Sequence, residues 1–197
     1  MAKKILTKVK HIYFTPWNAA DTGLDTTTGA KLELLNVIAD TVAITQDDPE
    51  TNTIDCETRD EPIIESTTLG AYTLTMDSAD IDLNILVKCL GFTMSGEKIA
   101  YAPTSYVKKY ACVEVVFDDS RLVLPRILVT SKIDASSLKT NVAKGTISGT
   151  GYSCAVTTGS GQSASTFDTP FFVQSGTVSG STVTFDSYTV APLGDSE

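Results

Sequence analysis

The chain has 197 residues, of which 42% are hydrophobic and 20% are charged. A chain of this length buries roughly 70% of its unfolded surface on folding, enough for one well-buried domain or at most two small ones, and its composition excludes a mainly disordered protein. The 24 acidic residues outnumber the 15 lysines and arginines, which gives a net charge of −9 at pH 7. Because affinity for phosphate comes mainly from Lys and Arg, this charge argues against tight nucleic-acid binding.

The chain contains no apolar run near the ~18 residues that a transmembrane helix requires, so no membrane-spanning segment is predicted. Residues 1–10 are basic but hold no uninterrupted apolar stretch, and we therefore expect no signal peptide. The four cysteines, Cys56, Cys89, Cys112 and Cys154, form no C-x-x-C pair. Four free thiols in a reducing compartment are favoured over two disulfides.

Charge is distributed in blocks along the chain. The net charge is +1 over residues 1–46, −10 over 47–82, +4 over 83–145 and −4 over 146–197. Alternating blocks of this kind suit self-association, in which an acidic segment of one subunit meets a basic segment of another. The other interpretation is that residues 47–82 contain a solvated acidic loop.

The first half of the chain contains two stretches of contrasting composition. Residues 31–46 are rich in aliphatic and β-branched side chains and hold no Gly or Pro, which predicts one long bent strand or two strands. Residues 47–68 are polar and acidic and are interrupted by Pro49 and Pro62, which predicts a long loop or a loose hairpin. A connection of this length is usually functional or disordered.

A strand and then a helix are predicted next. Residues 69–76 alternate, with Tyr72, Leu74 and Met76 on one face, as in a half-buried strand. A helix is predicted over about 79–90, with Asp77 or Ser78 as its N-cap and Gly91 as its C-terminal stop. Its apolar stripe consists of Ile81, Ile85, Leu86, Cys89 and Leu90.

Residues 110–133 predict a hairpin that turns at residues 118–120. Ala111, Val113, Val115 and Phe117 form one face of its first strand, and the return strand is apolar on both faces, with Leu128 on the side of Leu122 and Leu124. Two apolar faces indicate either that a neighbouring subunit covers the second face or that the hairpin is central in a sandwich with a helix on its back. Pro125 predicts a bulge or an edge position.

Short strand-like runs separated by Gly/Ser turns follow residue 142, at 145–149, 152–157, 171–173 and 183–190. Residues 158–166 (TGSGQSAST) are of low complexity and predict a mobile loop.

Motifs that carry chemistry are missing from the sequence. His11 is the single histidine and no G-x-S-x-G elbow is present, so a Ser–His–Asp triad is not expected. No phosphate-binding loop is found. The pattern Asp80-x-Asp82-x-Asn84 lacks the Gly and the closing Glu of a calcium loop. We therefore expect no enzyme activity, no cofactor and no dedicated metal site.

The chain resembles phage tail tube proteins. The resemblance rests on the run ACVEVVFDDSRLVLPRI at 111–127, on VTSKID at 129–134, on the Ser137-Leu138 step and on GTISGTG at 145–151. The order of a basic N-terminal arm, long strand, polar loop, strand and short helix upstream is also similar. The resemblance covers about residues 1–155.

The resemblance implies a mainly β protein, an antiparallel β-sandwich or partly closed barrel with one short flanking helix at about 79–90. It also implies hexameric rings that stack into a tube, through which phage DNA passes without specific binding. The related tubes of type VI secretion and contractile injection systems are similar. Tape-measure, tail-terminator and baseplate proteins are the implied partners, with the subunit assembled in the host cytoplasm and located in the virion tail. The competing interpretation is an immunoglobulin-like capsid-decoration or cell-surface binding module.

The sequence predicts three regions: an N-terminal arm at 1–14, a tail-tube-like β domain at 15–155 with the acidic loop at 47–68, and Ser/Thr/Gly-rich strands at 156–197, part of the same domain or appended to it. The arm is expected to dock on an adjacent subunit, and residues 47–68 to contact the next ring. Candidates for contacts between subunits are Lys3, Lys4, Ile5, Leu6, Lys8, Val9, Ile54, Ile63, Ile64, Val113, Val115, Leu122 and Leu124. Candidates for the lumen are Glu114, Asp118 and Asp119.

Overall fold

The computed structural model describes residues 8–54, 64–68, 70–79, 82–96, 99–102, 108–134, 144–159, 161–180 and 182–193. The elements up to the middle of the chain are β1 (His11–Pro16), β2 (Leu32–Glu33), β3 (Ala43–Gln46), β4 (Glu50–Ile54), β5 (Ile64–Thr68), β6 (Tyr72–Ser78), α1 (Leu83–Leu90), β7 (Thr93–Ser95), β8 (Ile99–Tyr101) and β9 (Tyr110–Val116).

The remaining elements are β10 (Ser120–Asp134), β11 (Lys144–Gly151), β12 (Cys154–Thr158), a 3-10 turn (Gly161–Ser163), β13 (Ser165–Thr169), β14 (Phe172–Ser175), β15 (Thr177–Ser179), β16 (Thr182–Thr184) and β17 (Tyr188–Pro192). The prediction of a mainly β, antiparallel fold with one short helix is confirmed. The described strands do not close into a barrel.

The main sheet has the strand order β2–β1–β9–β10–β11–β6–β3, and β14 pairs with the first part of β10. A second sheet has the order β13–β12–β17. The predicted hairpin β9–β10 is present and turns at residues 117–119, one residue earlier than predicted, and the N–H of Phe117 donates to the carbonyl of Ser120 across this turn. Strand β10 is central, because β9 lies on one side of it and β11 and β14 share the other.

One face of the main sheet forms the first core, together with helix α1. Phe14 and Leu124 are fully buried there, and the helix contributes Ile85 and Cys89. In β6 the predicted alternation is present, since Leu74 and Met76 are buried and the threonines between them are only partly so. The predicted apolar face of the helix is likewise confirmed at Ile85, Leu86 and Cys89.

The other face of the β9–β10 hairpin is covered by the C-terminal strands of the same chain. A second core forms between the two sheets from Trp17, Cys154, Val156 and Val190. Cys112 and Val123, which point to this side, have no exposed surface. The interpretation that a neighbouring subunit covers the second face is therefore corrected: the chain buries both faces of the hairpin itself.

The predicted bulge at Pro125 is confirmed by a shift in the β9–β10 register between Leu124 and Ile127. The indole N–H of Trp17 donates to the carbonyl of Pro125 at 2.8 Å. An inserted residue reverses the alternation beyond it. Ile127 and Val129 therefore join Leu122 and Leu124 in the first core, and the expected placement of Leu128 with them was wrong.

Residues 31–46 form two short strands, one of the two alternatives that the sequence left open. Between β2 and β3, Asn36 and Asp40 have φ values of 55° and 61°. Asn and Asp tolerate this left-handed conformation better than most residues, and it breaks an extended run.

The helix begins later than predicted. Asp77 and Ser78 still belong to β6, where the Asp77 carboxylate accepts from Thr146 and the Ser78 hydroxyl donates to the carbonyl of Leu35. The N-cap is Asp82, whose carboxylate accepts from the N–H of Asn84 at 2.6 Å. The predicted stop is confirmed, since Gly91 is left-handed, with φ of 77°.

The low-complexity stretch 158–166 contains the predicted loop, since β12 ends at Thr158 and β13 begins at Ser165. Its mobility stays a prediction. Strands β12 and β13 pair up to Thr158 and Ser165, and a 3-10 turn connects them. The hydroxyls of Thr157 and Thr166 lie 2.8 Å apart across this pair.

Candidate functional site: assembly surfaces

The hairpin residues predicted to contact other subunits lie inside the chain. Val113 and Leu124 have no exposed surface, Val115 is 1% exposed and Leu122 is 8% exposed. All four belong to the first core. We do not retain them as candidates for contact between subunits, because burying them in a second interface would require opening this core.

Glu114, a lumen candidate, is also interior. Its carboxylate accepts from Lys31 at 2.8 Å, from Arg121 at 2.9 Å and from the Tyr188 hydroxyl at 2.9 Å. The Arg121 guanidinium also donates to the side chain of Gln174 and to the carbonyl of Asp186. This network connects the β9–β10 hairpin to the C-terminal strands, and it removes Glu114 from the set of residues that could face a bore.

The partners of Glu114 determine its ionisation. Burial raises the pKa of Glu114, but the hydrogen bonds and charges of Lys31, Arg121 and Tyr188 outweigh burial and hold that pKa below its ordinary value. Burial, with Cys112 and Glu114 beside it, raises the pKa of Tyr188. Glu114 is therefore an ionised carboxylate with a neutral phenol as donor.

The other two lumen candidates are nearer the surface. Asp118 is exposed and pairs with Lys10 at 3.0 Å, with both side chains about half exposed. Asp119 is half-buried, and its carbonyl accepts from the N–H of Gly176. Both remain candidates for a surface role.

Part of the predicted N-terminal contact arm is placed. Lys3, Lys4, Ile5 and Leu6 lie outside the described residues. Lys8 is exposed, and Val9 packs against the first core. Residues 8–12, the segment 33–40, Val42 and Phe117 surround a cleft of about 640 Å³. Leu35, which lines this cleft, is 59% exposed.

The acidic segment forms a hairpin, β4–β5, whose strands pair only with each other among the described strands. We call residues 47–70 the acidic hairpin. Ile54 and Ile64 are register partners in it, and Ile63 lies outside the described residues. At its base the N–H of Asp47 donates to the carbonyl of Ala71, and Asp47, Asp48 and Glu50 are exposed.

A basic cleft lies near the ends of β1 and α1 and the start of β9. We call it the lysine cleft: it measures about 600 Å³ and is lined by Pro16, Trp17, Asn18, Ala19, Asp21, Asp25, Lys88, Lys108, Lys109 and Tyr110. Beside it, Arg126 lies over the rings of Tyr110, at 4.2 Å, and Trp17, at 5.0 Å, and pairs with Asp21.

Sequence reasoning missed this cleft and the Glu114 network. The available signals were a Lys108-Lys109 pair directly before a strand and a Glu inside an apolar strand, ACVEVVF. Neither signal identifies a partner, because the residues that meet these side chains are distant in sequence.

The described thiols are expected to be unreactive at neutral pH. Cys89, Cys112 and Cys154 are free and buried. Burial raises their pKa values, to about 12 for Cys89 and Cys112 and about 11 for Cys154, so little thiolate is present at neutral pH. Cys56 lies outside the described residues.

Within the described ranges, no three His, Cys, Asp or Glu residues are grouped as metal ligands. No helix there has the length and apolarity to cross a membrane. No protein-family model and no curated protein matches this sequence.

Proposed function

We propose that this chain is a structural subunit of a phage tail tube, which assembles into six-membered rings that stack into a conduit for DNA. The acidic hairpin carries the proposal. A two-stranded hairpin on its own is only marginally stable in water. Because β4 and β5 pair with no other described strand, binding to a partner would stabilise them. Its exposed acidic base, at Asp47, Asp48 and Glu50, suits a basic partner surface.

The charge of the chain supports the same function. A conduit must let DNA slide, and a protein of net charge −9 repels phosphate instead of retaining it. Asp118 and Asp119 are the remaining acidic candidates for the bore. The hairpin motif that resembles tail tube proteins lies on the central strands β9, β10 and β11.

The test is the assembly state of the purified chain, measured by light scattering and negative-stain microscopy over a range of concentration and salt. We expect rings or tubes at high concentration. A chain that stays monomeric at all concentrations and salt conditions would overturn the proposal and favour a monomeric, immunoglobulin-like decoration or binding module.

A variant pair sharpens this test. Ile63→Asp, in the acidic hairpin, should block stacking while leaving single rings and the melting temperature unchanged. Val178→Asp places the same charge on a residue that is 58% exposed in the C-terminal region and should stack normally. Stacking by both variants alike would remove the hairpin from the interface.

A further inference from the structure

Two clefts meet on one side of the first core. The cleft of about 640 Å³ beside residues 8–12 adjoins a cleft of about 380 Å³, which reaches the core residues Val115 and Leu122. Three apolar side chains line both clefts: Val9, Val42 and Phe117. We call the two clefts together the N-terminal groove. Because Val9 lies just before β1 and Val42 just before β3, the groove lies between the starts of these two strands.

The walls of the groove are mainly apolar. One wall is the segment 33–40, in which Leu35 is exposed and Val37 and Ile38 are half-buried. Phe171 lines the part of the groove next to the core. Several apolar side chains in one groove differ from single exposed ones, because one apolar occupant removes all of them from water. The groove is therefore suited to aliphatic side chains.

The described part of the chain begins at this groove. Lys8 lines the groove and Val9 packs against the first core, so the residues that precede them leave from the groove itself. A fully extended chain spans at most ~3.6 Å per residue, which keeps Ile5 and Leu6 within about 11 Å of the Lys8 backbone. Both side chains are therefore within reach of the groove of their own chain.

Ile5 and Leu6 suit the groove in character as well as in reach. Residues 3–9 read KKILTKV, so these two large aliphatic side chains stand between basic residues that favour water. Val9 is already held against the first core, which makes the connection from Leu6 to a fixed point short. A segment tethered by so short a connection has an effective concentration in the millimolar range, well above that of a second copy in dilute solution. The same chain is therefore the favoured source of the occupant.

We propose that Ile5 and Leu6 fill the N-terminal groove of their own chain, where they lie against Leu35 and Val42 and cover the first core. This contact concerns the single subunit and does not depend on the tail-tube function. The sequence predicts that the N-terminal arm docks on an adjacent subunit. To do so, these residues would first have to leave the groove of their own chain.

The test is a double-mutant cycle in the full chain, with thermal unfolding measured at a concentration at which the chain is monomeric. The arm variant combines Ile5→Ser with Leu6→Ser, and the groove variant is Leu35→Ser. We expect the arm variant to lower the melting temperature by at least about 5 °C. The groove variant should lower it in the parent and have no further effect in the arm variant, because the occupant is then already lost.

A matched pair of exposed residues controls for the loss of aliphatic side chains as such. Val178 and Leu193 lie in the C-terminal region, outside the groove, and are 58% and 39% exposed. Val178→Ser with Leu193→Ser should shift the melting temperature by less than about 1 °C. The circular-dichroism spectra of all variants before unfolding should match that of the parent.

Equal shifts in the arm variant and the control pair would overturn the proposal, and so would additive shifts from the arm and groove variants. A shift in the arm variant that appears only as the concentration rises would assign the occupant to a second copy and overturn docking within the chain. If the parent forms no rings at any concentration, the tail-tube function fails, whereas the result of the cycle on the monomer stands.

Discussion

At the residue scale, Glu114 illustrates how a charge is accommodated in a β-strand interior. A buried carboxylate is costly unless hydrogen bonds and opposite charges compensate it. Arg121 supplies both from the neighbouring strand, and its guanidinium lies over the rings of Phe185, at 4.8 Å, and Tyr188, at 5.0 Å. The pair therefore links the main sheet to the C-terminal strands.

Replacing Glu114 by Gln should lower the free energy of unfolding at pH 7 by about 3 kcal/mol, because Arg121 would be left buried without a counter-charge. Urea unfolding measures the change. The control is Asp118→Asn, which removes an exposed pair with Lys10 and should cost less than about 1 kcal/mol. Equal losses in the two variants would contradict a special role for Glu114.

The same substitution predicts a pH dependence. Because the pKa of folded Glu114 is lowered, its contribution to stability is present above the unfolded value of about 4.3 and is lost as pH falls through the folded pKa. The parent should therefore lose more stability than Glu114→Gln as the pH falls from 5 through the folded pKa of Glu114. Parallel stability curves for the two proteins would show that another group controls the acid response.

Gly149 of β11 lies directly against Ile127 of β10. A Cβ atom at Gly149 would lie 2.2 Å from a methyl carbon of Ile127, whereas the nearest atom to a Cβ at Gly151 is 3.4 Å away. Gly149→Ala should cost about 1–3 kcal/mol from overpacking, and Gly151→Ala much less. Thermal melting of the two variants measures the difference, and identical melting temperatures would mean that Ile127 relaxes without cost.

At the element scale, the two ends of helix α1 are determined differently. The C-terminal end is determined by Gly91 itself. Glycine has no Cβ atom, so Gly91 adopts the left-handed conformation that ends the helix without strain. The start of the helix is less well determined, because several residues before it have side chains that could serve as the N-cap. Asp77 and Ser78 do not cap the helix, because their side chains form hydrogen bonds with the Thr146 hydroxyl and the Leu35 carbonyl within the sheet.

Asp82→Ala should destabilise the protein by about 1 kcal/mol, since it removes the acceptor for the Asn84 N–H. Asp82→Asn keeps an acceptor at that position and should be nearly neutral. Chemical denaturation of both variants measures the effect. A neutral Asp82→Ala would indicate that the first turn is held by packing of Ile85 and Leu86 instead of by the cap.

At the scale of the whole molecule, the C-terminal strands complete the interior. Strand β14 pairs with β10, and the second core lies between β9–β10 and the β13–β12–β17 sheet. Cys112 reports on this contact, because its thiol lies under the C-terminal strands, 3.2 Å from the Tyr188 hydroxyl.

A chain ending at residue 152 should lose cooperative unfolding, since Cys112, Val123 and Trp17 would be exposed together. Maleimide labelling followed by peptide mass spectrometry should show Cys112 protected in the full chain and modified in the truncated one. Cys89, which lies in the first core, is the internal control. Protection of Cys112 in the shortened chain would show that the C-terminal strands are an addition to an independent domain.

Features that depend on a few neighbouring residues could be predicted from the sequence. Alternation identified β6, the acidic turn placed the β9–β10 hairpin, Pro125 marked the bulge, and Gly91 ended the helix. Each of these signals acts over one turn or one strand, where propensity and periodicity decide the conformation.

Three features could not be predicted without the folded chain: what covers the second face of the hairpin, how Glu114 is neutralised and where the helix begins. The partners of Glu114 illustrate the reason, since Lys31 is 83 and Tyr188 is 74 residues away along the chain. Contacts between residues so far apart leave no periodic pattern in either segment. They form only when folding brings the two side chains together, and so the sequence pattern does not predict them.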